Sequence, residues 1–194
     1  MKHYALTGGI GSGKTTVLSM FQKLGIPTFS ADEVAKQLME QDDVLRANIV
    51  KLMGDTAYEH GKLNRAFIAN QIFQNKYKLA KLNALVHPAV QKKYTIWKLV
   101  QDAPYTVYEA AIVFEHEAQD RFDAVILIVS PIETRIKRVQ KRDGTSKASI
   151  LARMKHQFTD EQKIPLADFV INNEILTDTE QQVAKLHRQL RTNT

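Results

Sequence analysis

The sequence contains no cysteine, which excludes a disulfide framework and any thiolate metal site and sits easily with reducing surroundings. It has no run of 18 apolar residues, so no segment reads as a membrane span. Its N-terminus passes from a strand-like run straight into glycines without the apolar core of a secretory signal. The expected protein is soluble, unprocessed and cytoplasmic. Internal repeats, low-complexity tracts and Pro/Gly/Ser-rich linkers are also missing. Any subdivision must therefore be an insertion within one fold rather than a second independent domain. There is no Asn-Lys-x-Asp guanine signature, which speaks against a signalling GTPase.

What is present is 194 residues, 44% of them hydrophobic, enough for a core of one compact domain. The 27 Lys and Arg against 21 Asp and Glu leave a formal charge of +6, a balance that suits polyanions such as phosphorylated metabolites, nucleic acid or anionic lipid.

Strand signals fall at His3 to Thr7, Ile26 to Phe29, Tyr105 to Tyr108, Ala124 to Val129 and Phe169 to Ile171. They are short apolar, β-branched or aromatic runs of the kind buried in a parallel sheet. Between the first two, Val17, Phe21 and Leu24 recur at helical spacing until Gly25. Ser30 or Asp32 can cap a helix carrying Val34, Ala35, Leu38 and Met39. From Asp43 to Val100 the pattern is helical throughout, with Leu45, Ile49 and Leu52, then Phe67, Ile68, Ile72 and Phe73, then Leu82, Leu85 and Val86 before Pro88. Ser130, Pro131 and Glu133 form a capping-box pattern for a helix with Ile132, Ile136 and Val139 on its apolar face. Asp143 and Gly144 mark a turn, a basic helix runs on through Met154 to Phe158, and a last helix carries Val183, Leu186 and Leu190. Strands alternating with helices imply an α/β fold, a five-stranded parallel sheet with helices on both faces. Ligands in such folds gather at the carboxyl ends of the strands.

Gly8-Gly9-Ile10-Gly11-Ser12-Gly13-Lys14-Thr15 satisfies G-x-x-x-x-G-K-[ST] between an expected strand and an expected helix. Glycines let backbone N–H groups curl around a β-phosphate, the helix N-terminus adds partial positive charge, and Lys14 reaches the β- and γ-phosphates. Thr15 is placed to hold Mg²⁺. A chance glycine-rich turn would not bring the flanking strand and helix with it. The loop does not say what is phosphorylated. The length, the helical stretch after the second strand and the basic stretch after the fourth suit a small kinase better than a motor.

The sequence resembles dephospho-coenzyme A kinase nearly end to end. The run Leu6 to Lys14, followed by Thr15 and Thr16, is the family's opening. Further marks follow in order: Ala31-Asp32, Gly61 to Arg65, Val86-His87-Pro88, Phe114-Glu115, Arg138, Arg142-Asp143-Gly144, Arg153 with Gln157, and Ala167-Asp168 through Asn173. Two departures stand out. Ser30-Ala31-Asp32 replaces Asp-Ala-Asp, and Glu109-Ala110-Ala111-Ile112-Val113-Phe114-Glu115 replaces Asp-x-Pro-Leu-Leu-Phe-Glu. Ser30 cannot give Mg²⁺ or its waters a second carboxylate.

The resemblance implies transfer of the ATP γ-phosphate to the ribose 3′-hydroxyl of dephospho-coenzyme A, with Mg²⁺ as cofactor. It divides the chain into a core at about 1–31, 103–140 and 165–194, a helical acceptor-binding insertion at about 32–102 and a lid at about 141–164. Gly9, Ile10, Gly11, Ser12, Gly13, Lys14, Thr15 and Thr16 would then hold ATP. Asp32 would be the base accepting the hydroxyl proton, where capping alone would also explain it. Arg138, Arg142 and Arg153 would grip phosphate oxygens, with stacking on adenine open for Arg138 and a solvated basic face the plain alternative. Arg65 and His87 fall where the acceptor's phosphates or ribose would lie, a core-capping role for His87 standing beside that. Glu115 could reach the site from the end of the third sheet strand, and Asn173 suits a hydrogen bond to adenine. Phe114, Trp97 and Tyr94 read as core.

Three rivals remain at this level: another small-metabolite or nucleoside monophosphate kinase, a nucleic-acid-binding ATPase, and a nucleotide sensor without turnover. The first differs only in acceptor. Against the second, the positive residues scatter and no RNA or DNA module appears, so the expected partners are ATP and dephospho-coenzyme A, with neither nucleic acid nor membrane. Only Ser30 favours the third. No residue pattern specifies an oligomeric state.

Overall fold

The structure, a computed structural model, describes residues 1–192; the last two residues of the expected core lie outside the described residues. In chain order the elements are β1 (Lys2–Thr7), α1 (Lys14–Lys23), β2 (Thr28–Ser30), α2 (Ala31–Gln41), α3 (Asp43–Met53), β3 (Tyr58–Glu59), β4 (Lys62–Leu63), α4 (Arg65–Gln74) and α5 (Lys76–Leu99). There follow β5 (Tyr105–Glu109), β6 (Ala124–Val129), α6 (Ile132–Asp143), α7 (Lys147–Met154), α8 (Asp160–Lys163), β7 (Phe169–Asn172) and α9 (Leu176–Thr192). They form two compact units, one of Met1–Ser30 with the chain from Gln101 onward, the other of Ala31–Val100.

The first unit is built on a five-stranded sheet in the order β2-β5-β1-β6-β7, every pairing parallel. Alternation along the strands fills two layers. Tyr4, Leu6, Tyr105, Val107, Ile126 and Ile128 turn to one face and pack with Val17, Leu18 and Phe21 of α1 and Val183, Leu186 and Leu190 of α9. Ala5, Val125, Leu127 and Val129 turn to the other and meet Val113 and Phe114. All five expected strands and the parallel α/β architecture are present, with β2 displaced to Thr28–Ser30 so that Pro27 contributes only its carbonyl, to Val107 N–H at 3.1 Å. Among the described residues no helix is long and apolar enough to cross a membrane.

The second unit corrects the expectation of helix from Asp43 to Val100. Residues 58–63 form a small antiparallel hairpin, Tyr58 opposite Leu63 and Glu59 opposite Lys62. Its two-residue turn has His60 at φ 49° and Gly61 at φ 77°, the paired positive angles that match the twist of a tight hairpin. Asp42, Asn64 and Asn75 cap α3, α4 and α5 through bonds to Leu45, Phe67 and Lys78 N–H. As the helical reading of this stretch has it, α5 runs on through Pro88 to Leu99. Leu82, Val86, Val90 and Tyr94 carry a buried row across the proline at four-residue spacing, and the burial of that row outweighs a missing hydrogen bond.

Two local readings in the first unit also fail. Ser130 does not cap α6; the residue preceding that helix is Pro131 and no side chain caps it. The Ser130 hydroxyl instead accepts from Arg138 Nη1 at 3.2 Å, while Glu133 pairs with Lys147 at 3.0 Å. Ile132 is left 54% exposed because the buried face of α6 is Arg135, Ile136 and Val139. The reciprocal capping box lies at α8, between Thr159 and Gln162. The basic helix stops at Met154, short of Phe158.

Replacing Pro88 by Ala restores an amide donor inside α5 and is expected to raise the stability of the protein by roughly 1–3 kcal/mol. Urea unfolding followed by circular dichroism checks it; a lowered midpoint would mean that the proline ring itself is needed for packing.

Candidate active site

The P-loop bridges β1 and α1, and its shape is set from outside. Gly13 precedes α1 at φ 93°, and a Cβ there would lie 2.0 Å from the Asn173 amide nitrogen, so only glycine fits both the angle and the space. Asn173 Nδ2 donates to Ser12 O at 2.7 Å. Arg138 Nη1 donates to Ser12 O at 3.4 Å and to Asn173 O at 3.0 Å. In a trans peptide the carbonyl of one residue and the N–H of the next point in opposite directions. Holding Ser12 O on one side therefore turns Gly13 N–H the opposite way, away from the Asn173 carboxamide. Gly9 O accepts from Ser12 N–H at 3.1 Å, closing the turn. Lys14 Nζ donates to Gly8 O at 3.0 Å, and Thr15 and Thr16 are exposed in the first turn of α1. Backbone donors, a lysine and the helix N-terminus together make a site for a polyphosphate.

Asn173 is thus committed differently from the expected adenine contact. It is 3% exposed, its Nδ2 spent on Ser12 O and its Oδ1 accepting from Thr179 Oγ1 at 3.1 Å. Arg138 is a half-buried brace of the loop.

At the carboxyl end of β2, Ser30 stands opposite Glu109 of β5, and its hydroxyl donates to Glu109 Oε2 at 2.7 Å. That bond occupies the hydroxyl of Ser30, one of the two residues, with Asp32, that could cap α2. Glu109 is 4% exposed. Asp32 lies two residues farther on, in the first turn of α2 rather than before it, and is exposed.

In the expected lid, Arg142 and Arg153 converge on Asp143, at 2.6 Å and 3.3 Å. The Arg142 hydrogen bond, with help from Arg153, holds the Asp143 carboxyl down to about 2. Glu115 pairs with the fully buried Lys163 at 2.8 Å and accepts from Phe158 N–H at 2.9 Å; it serves a buried ion pair. Arg65 pairs with Glu40 at 3.0 Å beside an open pocket of about 500 Å³ lined by His60, Lys62, Asn64 and Arg65 among others. His87 is exposed on α5. Tyr94 and Phe114 are buried as core.

The sequence profile of the family described as dephospho-CoA kinase matches residues 3–178. The chain belongs to the dephospho-CoA kinase family. A dephospho-CoA kinase of Salinibacter ruber is 36% identical over 192 residues, 96% of each chain. A crystal structure of TT1252 from Thermus thermophilus superposes with TM-score 0.88 at 28% identity, covering 97% of this chain and 96% of that one. A dephospho-CoA kinase from Campylobacter jejuni superposes with TM-score 0.70 at 25% identity over 98% of both chains. The family's reaction, ATP-dependent phosphorylation of dephospho-CoA as the final step of coenzyme A biosynthesis, is the function of this phosphotransferase.

Sequence reasoning passed over Arg135, whose Nε donates to Ile10 O at 2.9 Å. It named Gln157 only as a family mark, although Gln157 Oε1 accepts from Ile10 N–H at 2.8 Å. A charged residue in phase with Ile136 and Val139 on one helix face was the available signal for the first.

Asn173→Ala removes the carboxamide from Ser12 O and is expected to weaken Mg-ATP binding roughly tenfold, measured by titration calorimetry. A depressed carboxyl adds stability that is complete above its unfolded value of about 4 and fades as pH falls through about 2. Asp143→Asn is therefore expected to cost up to about 1 kcal/mol at neutral pH, the guanidinium groups being solvent-exposed. Its difference from the wild type should shrink between about pH 4 and pH 2, as denaturation at each pH would show.

Proposed function

We propose that this dephospho-CoA kinase transfers the ATP γ-phosphate to the ribose 3′-hydroxyl of its acceptor, with the P-loop as donor site and Asp32 as the group that receives the hydroxyl proton. The observation that carries the donor half is the loop itself, with Gly13 N–H turned away from Asn173 by the clamp on Ser12 O. Phosphoryl transfer asks a protein mainly for positioning and charge neutralisation. Gly9, Ile10, Gly11, Ser12, Gly13 and Thr16 frame the phosphates and Lys14 meets the transferred group. Asp32 is an exposed carboxylate just beyond the carboxyl end of a sheet strand, where ligands of parallel sheets gather.

Mg²⁺ keeps several waters and takes phosphate oxygens, so it needs one or two oxygen ligands from protein rather than a cage. The Thr15 hydroxyl and the Glu109 carboxylate are of that kind. Glu109, oriented by Ser30 at 2.7 Å, would supply the carboxylate that Ser30 itself lacks. When bound, the ion offsets charge on the β- and γ-phosphates.

Acceptor binding falls to the Ala31–Val100 unit in this reading, with Arg65 and the basic pocket around it offering cations to the acceptor's phosphates, and His87 beside them. Arg142 and Arg153, on the segment 141–164 that would act as lid, exchange Asp143 for phosphate oxygens. Arg138 keeps one guanidinium face for adenine. Glu115 serves the acceptor only by steadying Lys163 and Phe158. The reaction would run in the cytoplasm.

Purified protein with Mg-ATP and dephospho-CoA is expected to yield ADP and 3′-phosphorylated product together. Asp32→Asn should lower kcat by roughly 10²–10⁴-fold with ATP affinity retained, while Lys14→Ala should lose both. Wild-type protein that binds ATP but phosphorylates only other acceptors would overturn the proposal.

A further inference from the structure

Arg135 is the buried cation of α6. It is 8% exposed, on the buried face of α6 with Ile136 and Val139, which pack together with Ile150 and Ile10. A guanidinium in such surroundings is tolerable only when its charge and its N–H groups are met. Nη1 pairs with Asp160 Oδ1 at 3.1 Å, and Nε donates to Ile10 O at 2.9 Å. A Cβ on Gly9 would lie 2.0 Å from Nη2, so the guanidinium lies directly against the loop backbone and a side chain on residue 9 would have to displace it.

We propose that Arg135, oriented by Asp160, is a positioning residue for the donor phosphates, acting by fixing the Ile10–Gly11 peptide. No peptide among the described residues is cis, so the carbonyl of Ile10 and the N–H of Gly11 lie in one plane and point in opposite directions within it. Binding Ile10 O to Arg135 turns Gly11 N–H away from α6, as the clamp on Ser12 O turns Gly13 N–H. Ile10 N–H is held independently by Gln157 Oε1 at 2.8 Å, so both polar atoms of this one residue are fixed by side chains from far along the chain. Asp160 sets which way the guanidinium forks. It opens α8 directly after Thr159, whose backbone and hydroxyl are locked to Gln162 in the capping box, so its own position is defined. Without Asp160, Arg135 keeps its charge and loses its orientation.

The inference rests on the P-loop being the ATP site. Its test compares Arg135→Met, Arg135→Lys, Asp160→Asn and the Arg135→Met/Asp160→Asn pair with the wild type. The readouts are calorimetric affinity for the β,γ-imido analogue of Mg-ATP, separate KM values for ATP and dephospho-CoA, and the thermal midpoint. Arg135→Met is expected to weaken analogue binding and raise the KM for ATP about tenfold, leaving the KM for dephospho-CoA within about twofold. Arg135→Lys should be intermediate, since one ammonium cannot serve both Ile10 O and Asp160 in a fixed fork. Asp160→Asn should shift ATP binding in the same direction by about threefold, and the pair should be no worse than Arg135→Met alone, because Asp160 acts through Arg135. A lowered thermal midpoint with unchanged analogue affinity, an equal rise in both KM values, or additive losses in the pair would overturn the proposal. If Arg135→Met does not fold, Asp160→Asn decides by the same split. Wild-type protein that binds the analogue without phosphorylating dephospho-CoA would instead overturn the acceptor reading, and the binding comparison would still judge Arg135.

Discussion

A backbone amide can face a phosphate only if the carbonyl on the same peptide is held away from it, and the 2.7 Å bond from the Asn173 carboxamide to Ser12 O meets that condition at the centre of the loop. Around it the polar atoms interlock. Arg138 braces Ser12, Ser130 and Asn173 at once, and Thr179 of α9 takes the other end of the carboxamide. Burial of Asn173 makes the arrangement stiff, since a carboxamide so enclosed has no water to turn to. The loop's conformation is therefore a property of the sheet's last strand and last helix as much as of its own glycines.

The same principle of paired replacement governs the sheet edge. Ser30 and Glu109 are neighbours across β2 and β5, and each departs from the family's residue at its position. A carboxylate one methylene longer faces a side chain with no carboxylate at all, and the hydrogen bond between them aims the longer one. Two departures that look independent in the sequence are one contact in space.

Most of the sheet was legible because its strands are apolar runs buried on both faces, with little else they could be. The P-loop was legible because its glycines and Lys14 are consecutive. Less legible was whatever depends on competition between distant groups. Ser130 followed by Glu133 has the pattern of a capping box, but Arg138 claims the hydroxyl. Pro88 has the mark of a helix end, but the buried row of α5 runs through it. The hairpin at His60-Gly61 had a local signal, a two-residue turn, masked by helical patterns on both sides. In the candidate site, Arg135 and Asn173 meet the loop across 125 and 161 residues of sequence, separations at which residue type and spacing carry no information about partners.

The pairing of β2 with β5 has one more consequence. Parallel neighbours require the chain to travel from the carboxyl edge of β2 back to the amino edge of β5, a return that one ordinary helix can make. Here the whole Ala31–Val100 unit occupies that return. Closing a longer excursion costs little, since each doubling of length adds only about 0.6 kcal/mol of chain entropy. The crossover is thus a cassette: its contents can be lengthened, shortened or exchanged with hardly any strain on the sheet, and the pairing of β2 with β5 sets no limit on what that stretch of chain carries.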